Sequence, residues 1–351
     1  METTYQQALK ALETTFKDRL RRPGTANGEA EGGALASVLP LHTEEVIWLS
    51  EVAARYALRL VPVGAGTGSN EPHEENGILV RFDFMSGIRL PDEGEEWVEA
   101  QPGTPWLKLD NELRRHGRGL AVYPTSAPRA TVGGWLATDG LGVGSFEYGR
   151  LRENVISTSV VGRGGGLREI GRDELDYRLG PGGVGSVVVG ARLRTRRADA
   201  DRTFAAAFEE PGEVAGAVAE LVESAAPLWH LGFVNPVMAN ARGLGTRYVL
   251  FGAYPDQRGG EAWEGLRRRV LEAHSGIELD SREALQVWGE RFFPVAPSHP
   301  TPGISREFVP LQDLQGVLQT RSREPLQGTV SGSGEILVLT LRDHASGSAQ
   351  P

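Results

Sequence analysis

The chain has 351 residues, 40% hydrophobic and 24% charged, with 46 acidic against 37 basic side chains and a net charge of −9. This is an ordinary globular composition, long enough for about two domains, and its acidic balance argues against a general nucleic-acid binder, whose affinity rests on a basic surface. Cysteine is absent, which excludes disulfides, thiolate catalysis and any cysteine-held zinc or iron–sulfur centre in this chain.

Residues 4–21 place Leu9, Leu12, Phe16 and Leu20 at helical spacing and predict a helix. They lack the unbroken apolar run of a signal peptide, and no later run reaches the ~18 residues of a membrane span. The expected location is therefore the cytoplasm. Residues 22–36, rich in Gly, Ala and polar side chains, predict a flexible linker, so 1–36 reads as an N-terminal helix and tether. Thr43 is the expected N-cap of a helix over 44–57, and a strand over 59–63 runs into Gly64-Ala65-Gly66-Thr67-Gly68-Ser69-Asn70. Strands follow at 77–83 and 95–101, a helix at 104–116, and a strand-like stretch at 120–124 stopped by Pro124. Residues 125–149 are dense in Gly, Thr, Ser and Ala; strands are expected at 155–161 and 186–195. Beyond about 200, helices at 211–225 and 260–274 alternate with strands at 227–234, 246–254 and 304–310. That order is the ferredoxin-like β-α-β-β-α-β arrangement. The fold class is α+β, with one domain over 37–200, a second over 201–343, and a disordered tail at 344–351.

Glycine makes up 46 residues, well above the usual ~7%, and it clusters. In the first cluster, 64–70, closely spaced glycines let successive backbone N–H groups turn inward as an anion-binding nest. Thr67, Ser69 and Asn70 add side-chain donors. The spacing is neither the Rossmann fingerprint nor a P-loop. A second cluster runs through Tyr123-Pro124-Thr125-Ser126, Ala130-Thr131-Val132-Gly133-Gly134, Ala137-Thr138-Asp139-Gly140 and Ser145 to Tyr148-Gly149. Here Gly133-Gly134 permits close backbone approach to a flat ligand. A third, Gly180-Pro181-Gly182-Gly183, leads into the strand that opens Ser186-Val187-Val188.

These three clusters, in this order and spacing, resemble the FAD-binding (PCMH-type) domain of the vanillyl-alcohol oxidase / p-cresol methylhydroxylase superfamily. The resemblance covers about 35–198. Its Pro-x-Gly-x-Gly-Thr loop is matched by Pro62, Gly64, Gly66 and Thr67, its Ala-Thr-Ile/Val-Gly-Gly element by 130–134, and its Ala-Thr-Asn-x-x-Gly element, in its Ala, its Thr and a following glycine, by Ala137, Thr138 and Gly140. Its last glycine element corresponds to Gly180, Gly183, Ser186, Val187 and Val188. Asp139 stands where the family usually has Asn, and Ser186 where it has Gly. Thr125-Ser126-Ala127-Pro128 replaces the usual Pro-Gly-Ser, and Gly68-Ser69-Asn70 lacks the usual Gly-Gly. The resemblance implies non-covalent FAD, since His73 is no clear counterpart of the histidine that carries flavin in some relatives. It also implies that Pro62, Val63, Gly64, Ala65, Gly66, Thr67, Gly68, Ser69 and Asn70 hold the diphosphate. Pro124, Thr125, Ser126, Thr131, Val132, Gly133, Gly134, Ala137, Thr138, Gly140, Ser145 and Tyr148 would surround the phosphates and ring, and Gly183, Ser186, Val187 and Val188 its edge.

The second domain would then be a substrate cap, and the nearest branch is that of glycolate oxidase and D-lactate dehydrogenase. The His-rich motif of the longer members is missing, and the seven histidines lie at no metal-ligand spacing. This resembles the short FAD-binding subunit of glycolate oxidase. Candidate catalytic residues are His230, whose ordinary pKa suits a base near neutral pH, and Arg247 and Arg291, which could clamp a carboxylate. Each also reads as a core histidine or a surface cation. The reading is an FAD-dependent oxidoreductase of small 2-hydroxy acids such as glycolate or D-lactate, passing electrons to a partner. It is expected in complex with a larger flavin subunit and an iron–sulfur subunit, through which it could lie against the inner face of a membrane. Two alternatives stand: a non-catalytic flavin-fold subunit of such a complex, and UDP-N-acetylenolpyruvoylglucosamine reductase, for which Gly68-Ser69-Asn70 speaks.

Overall fold

The structure, a computed structural model, describes residues 4–22, 34–67, 77–92, 94–175, 186–198, 200–293 and 303–342. Gly68, Ser69, Asn70, His73, Gly180 and Gly183, most of the expected linker and the expected disordered tail lie outside the described residues.

Along the chain come α1 (Thr4–Phe16), β1 (Leu20–Arg21), β2 (Ala36–Val38), α2 (Thr43–Arg55), β3 (Arg59–Val63), β4 (Gly77–Arg81), β5 (Ile88–Arg89) and β6 (Trp97–Ala100). Then follow α3 (Trp106–Arg114), β7 (Arg118–Leu120), α4 (Val132–Leu136), α5 (Ser145–Tyr148), β8 (Val155–Gly162), β9 (Leu167–Gly171) and β10 (Ser186–Arg197). The remainder is β11 (Asp201–Phe208), α6 (Pro211–Glu223), β12 (His230–Val234), α7 (Pro236–Ala241), β13 (Tyr248–Pro255), α8 (Glu261–Ala273), β14 (Ile277–Glu278), α9 (Ser281–Gly289), β15 (Gly303–Pro310), α10 (Leu314–Thr320), β16 (Leu326–Val330) and β17 (Glu335–Arg342).

The chain divides into two compact units, one of Met1–His116, Ala127–Asp139 and Val155–Arg196, the other of Gly117–Ser126, Gly140–Asn154 and Arg197–Pro351. Two stretches inside 37–200, namely 117–126 and 140–154, thus group with the C-terminal unit. A linear scan of composition does not register such crossings.

In the first unit, β1-β2-β4-β3 form one sheet, with β2, β4 and β3 parallel. A second, antiparallel sheet runs β5-β6-β10-β8-β9. Leu12 and Phe16 of α1, Val46 and Leu49 of α2, Ile78 and Val80 of β4, and Val161 and Val187 share one core. The N-terminal helix is shorter than its apolar spacing predicts. Lys17 takes a left-handed φ of +50°, and Leu20 pairs with Val38 as strand. Tertiary ties decide this: the Arg19 guanidinium donates to Leu39 O and to both Glu45 oxygens. Thr43 is the first helical residue rather than the cap. His42 holds the cap position without a side-chain bond, and the Glu45 carboxylate takes the orphan Leu41 N–H instead.

The second unit is built on a sheet ordered β14-β11-β13-β12-β16-β17-β15, antiparallel throughout. Its first four strands, with α6 and α8 as crossovers, have the ferredoxin-like order; β15 to β17 extend it. Among these, β11, β16 and β17 are strands the sequence reading leaves unassigned. In β11 a run of alanines hides a strand whose residues alternate between two cores, Phe204 and Ala206 on one side, Ala205 on the other.

Three glycines of this sheet sit opposite phenylalanines: Phe204 against Gly252, Phe251 against Gly232 and Phe233 against Gly328. A Cβ on Gly328 would fall inside the Phe233 ring, and one on Gly252 inside Phe204. The rings cover glycine backbone that would otherwise be poorly packed, as in aromatic rescue. Gly328→Ala should therefore cost about 3 kcal/mol through overpacking, whereas Gly316→Ala, in a helix with open space around it, should stabilise by up to about 1 kcal/mol. Urea unfolding of the two variants checks both signs.

Candidate cofactor and substrate sites

The glycine loop after β3 lies against the second glycine cluster, inside the first unit. A Cβ on Gly64 would meet Gly134 Cα and Thr131 Oγ1, each at 3.2 Å, and one on Gly134 would meet Thr131 Oγ1 at 3.1 Å. Two backbones therefore touch where neither carries a side chain. The far side of the second loop is equally close, since Gly133 donates its N–H to Pro102 O at 2.8 Å and a Cβ there would strike Pro102. Val132 N–H bonds Thr104 O, and the Trp106 indole donates to Thr131 O at 3.0 Å. Trp135, buried, meets the Trp106 ring edge-on at 5.1 Å and so serves packing.

Gly66 adopts φ +65° with nothing within 4 Å of where a Cβ would stand. Among the described residues, no backbone hydrogen bond reaches the N–H groups of Ala65, Gly66, Thr67 or Gly134. A left-handed glycine, open space and a run of unmatched donors are what an anion nest requires. These residues fit a diphosphate. Pro62 and Val63 end the parallel strand that carries the loop. Thr138 is committed locally, its hydroxyl donating to Trp135 O, and Ala137 bonds back to Gly133 O. Ser186, Val187 and Val188 pair with Gly162, Val161 and Val160 on one edge. β6 joins the other edge only from Ala191, so among the described strands of this unit the edge at 186–188 is open.

The remaining cofactor candidates fall in the second unit. Ser145 is fully buried and its Oγ accepts from Gly142 N–H, so it closes its own loop. Tyr148 O accepts from the Asn154 side chain. Gly140 takes φ +147° and accepts at its carbonyl from Leu151 N–H. Thr125, buried beside Pro124 and the half-buried Ser126, accepts at its carbonyl from Phe293 N–H.

Of the catalytic candidates, Arg247 reaches only Glu209, at 3.7 Å and half-exposed, the surface pair that is its plainer reading. His230 and Arg291 belong to one aromatic layer. The His230 ring lies 5.7 Å from Trp288 and 5.8 Å from Phe251. Trp288 lies 6.0 Å from Trp229, whose indole donates to Ala121 O. The Arg291 guanidinium stacks 4.5 Å from the Trp288 ring and 4.2 Å from Phe292, and donates to the Tyr123 hydroxyl and Trp288 O. His230 is not the base poised near neutrality that its residue type suggests. Burial, aided by the Arg291 charge, pushes its pKa down to about 3, and Nδ1 has no hydrogen-bond partner among the described residues.

Sequence reasoning missed two residues that hold this layer. Arg242, pushed by burial down to about 10, donates to Glu290 O, Phe292 O and Gln327 Oε1. Gln327 in turn donates to Arg291 O at 2.8 Å. No motif marks either.

The buried neutral His230 has a pH consequence. Its folded pKa lies below the ordinary 6.5, so the unfolded chain binds the proton first on acidification. Its contribution is intact above pH 6.5 and falls by up to about 1.4 kcal/mol per pH unit toward pH 3. His230→Gln should flatten the decline of the thermal midpoint between pH 7 and 5; an unchanged decline would show that the ring is not buried neutral.

Residues 34–171 match the FAD binding domain family. D-2-hydroxyglutarate dehydrogenase of Pseudomonas putida is 34% identical over 134 residues, 37% of this chain and 13% of that protein. The Escherichia coli protein of the same name is 32% identical over 158 residues, 44% and 15% of the two chains. The mitochondrial D-lactate dehydrogenase [cytochrome] of Arabidopsis thaliana is 32% identical over 127 residues, 35% and 22%. The match thus spans less than a quarter of each of these relatives. Among solved structures, p-cresol methylhydroxylase with substrate bound superposes with a TM-score of 0.78 at 11% identity, over 99% of this chain and 84% of that one. Alkyldihydroxyacetonephosphate synthase does so at 0.75 and 16%, over 97% and 77%. Residues 34–171 therefore match the FAD binding domain family, in a chain with the fold of p-cresol methylhydroxylase.

Proposed function

We propose that the chain is an FAD-dependent oxidoreductase acting on small 2-hydroxy acids, glycolate or D-lactate foremost. The observation that carries this is the open nest at 65–67 beside the Gly64–Gly134 contact, inside the segment that matches the FAD binding domain. The hydroxy-acid class is supported by the dehydrogenases among its relatives. When bound, FAD supplies the hydride acceptor, and the protein supplies position and electrostatics. The N–H groups of Ala65, Gly66, Thr67 and Gly134 hold the diphosphate, the glycine pair lets it approach the backbone, and the open edge at 186–188 offers N–H and C=O groups to a heterocycle.

The flavin is read as held non-covalently, since His73 is no clear counterpart of the histidine that carries flavin in some relatives. For want of cysteine the chain also holds no iron–sulfur cluster of its own. Electrons therefore pass to a partner, for which a larger flavin subunit and an iron–sulfur subunit are the fitting kind. Among the described residues no helix is long and apolar enough to cross a membrane; a cytoplasmic protein, with any membrane contact made through the complex, fits this best.

Gly66→Val forces a β-branched residue into a left-handed conformation, at a cost of about 1–2 kcal/mol, and fills the open space. It should retain less than about a tenth of the wild-type flavin while keeping its circular dichroism; a variant with full flavin overturns the loop assignment. Anaerobic addition of glycolate and D-lactate to the wild type should bleach the flavin absorbance. A flavin that no 2-hydroxy acid bleaches overturns the substrate class.

A further inference from the structure

In the second unit two guanidinium groups share one layer, and among the described residues neither forms an ion pair with a carboxylate. Arg242 spends its donors on carbonyl and amide oxygens, and the Glu290 charge acts on it only from beyond ion-pair distance. Arg291 gives one N–H to the Tyr123 hydroxyl and one to Trp288 O. A guanidinium carries five, so three remain, on Nη1 and Nη2, with no acceptor among the described residues. No acidic group forms an ion pair with Arg291 there, and the neighbouring residues 294–302, Pro-Val-Ala-Pro-Ser-His-Pro-Thr-Pro, contain no Asp or Glu. His230 beside it is neutral and offsets none of this charge.

The arrangement also fixes the orientation of the free donors. Stacking against Trp288 at 4.5 Å and Phe292 at 4.2 Å holds the guanidinium plane. Its backbone is pinned on both sides, by Arg242 to Glu290 O and Phe292 O and by Gln327 to Arg291 O. Phe293 N–H is tied to Thr125 O at 2.9 Å. A half-buried cation held this rigidly, with three N–H groups of Nη1 and Nη2 unspent among the described residues, matches the two oxygens of a carboxylate. Uncompensated, it weakens its surroundings; an anionic ligand relieves that.

We propose that the Nη1–Nη2 edge of Arg291, framed by Trp288 and Phe292, is the subsite that binds the carboxylate of a small 2-hydroxy acid. It sits wholly within the second unit, and the identity of the acid rests on the function proposed above. The carboxylate takes the paired N–H groups, and the aromatic walls exclude water around a short carbon chain. The role is recognition, and no proton or hydride transfer is assigned to Arg291.

The test is calorimetric titration of the purified full chain with glycolate, D-lactate and the neutral isostere glycolamide. Glycolate or D-lactate should bind the wild type, and glycolamide about a hundredfold more weakly. Arg291→Gln should weaken binding of the acid about a hundredfold, and Arg291→Lys, which keeps the charge and loses the fork, about tenfold. Arg291→Gln binding the acid within threefold of wild type would overturn the subsite, as would equal binding of glycolamide or no binding of either acid up to roughly 10 mM. If Arg291→Gln does not fold, the lysine variant and the acid–amide contrast on the wild type decide. Carboxylate binding lost on Arg291 substitution, in a protein whose flavin no hydroxy acid bleaches, upholds the subsite and refutes the oxidoreductase reading. Bleaching that persists in the variants with unchanged binding does the reverse.

Discussion

Two backbones that touch without side chains, Gly64 against Gly134, set the rest of the first unit's design. A methyl group on Gly64 would stand 3.2 Å from Gly134 Cα and Thr131 Oγ1, so any side chain there would press the two loops apart. The requirement propagates outward. Gly133 lies as close to Pro102 on the other side, and Trp106 secures the loop through Thr131 O. The parallel strand β3 delivers Gly64 to the contact, and Gly66 follows in a left-handed backbone with open space around it. The nest is thus a by-product of how two loops are held, not a free-standing turn, and its donors are oriented before any ligand arrives.

The second unit applies a different constraint, that of charge. Its sheet is covered on both faces by apolar cores, yet at one place it keeps two guanidinium groups and a histidine too buried to ionise at neutral pH. The cost of such cations is contained by carbonyl acceptors and by stacking on Trp288 and Phe292. The same groups that contain the cost also freeze the geometry. Rigidity and uncompensated charge together turn a packing feature into a recognition element.

Much of this was legible in the sequence, for identifiable reasons. The glycine clusters announce themselves because glycine is used where backbone must approach backbone, and their order carries the FAD-binding resemblance. The ferredoxin-like order of the second unit follows from helices with clear apolar spacing, such as α6 and α8. Other features were hidden because tertiary context sets them. Leu20 looks helical by spacing and is a strand because Arg19 is tied to Glu45 and Leu39 O. β11 is disguised by alanine. His230 reads as a base by residue type and becomes a neutral core ring by burial. The roles of Arg242 and Gln327 depend on partners 36 to 85 positions away along the chain, a relation no local pattern contains. The grouping of 117–126 and 140–154 with the C-terminal unit is equally invisible to composition.

The most direct test of the account is the visible absorption spectrum of the purified chain, recorded before and after heat denaturation and removal of the precipitate. Flavin bands that pass quantitatively into the supernatant are the result expected of the proposed nest, which would hold FAD without a covalent link. A colourless protein that stays colourless after incubation with FAD would contradict the account at its root.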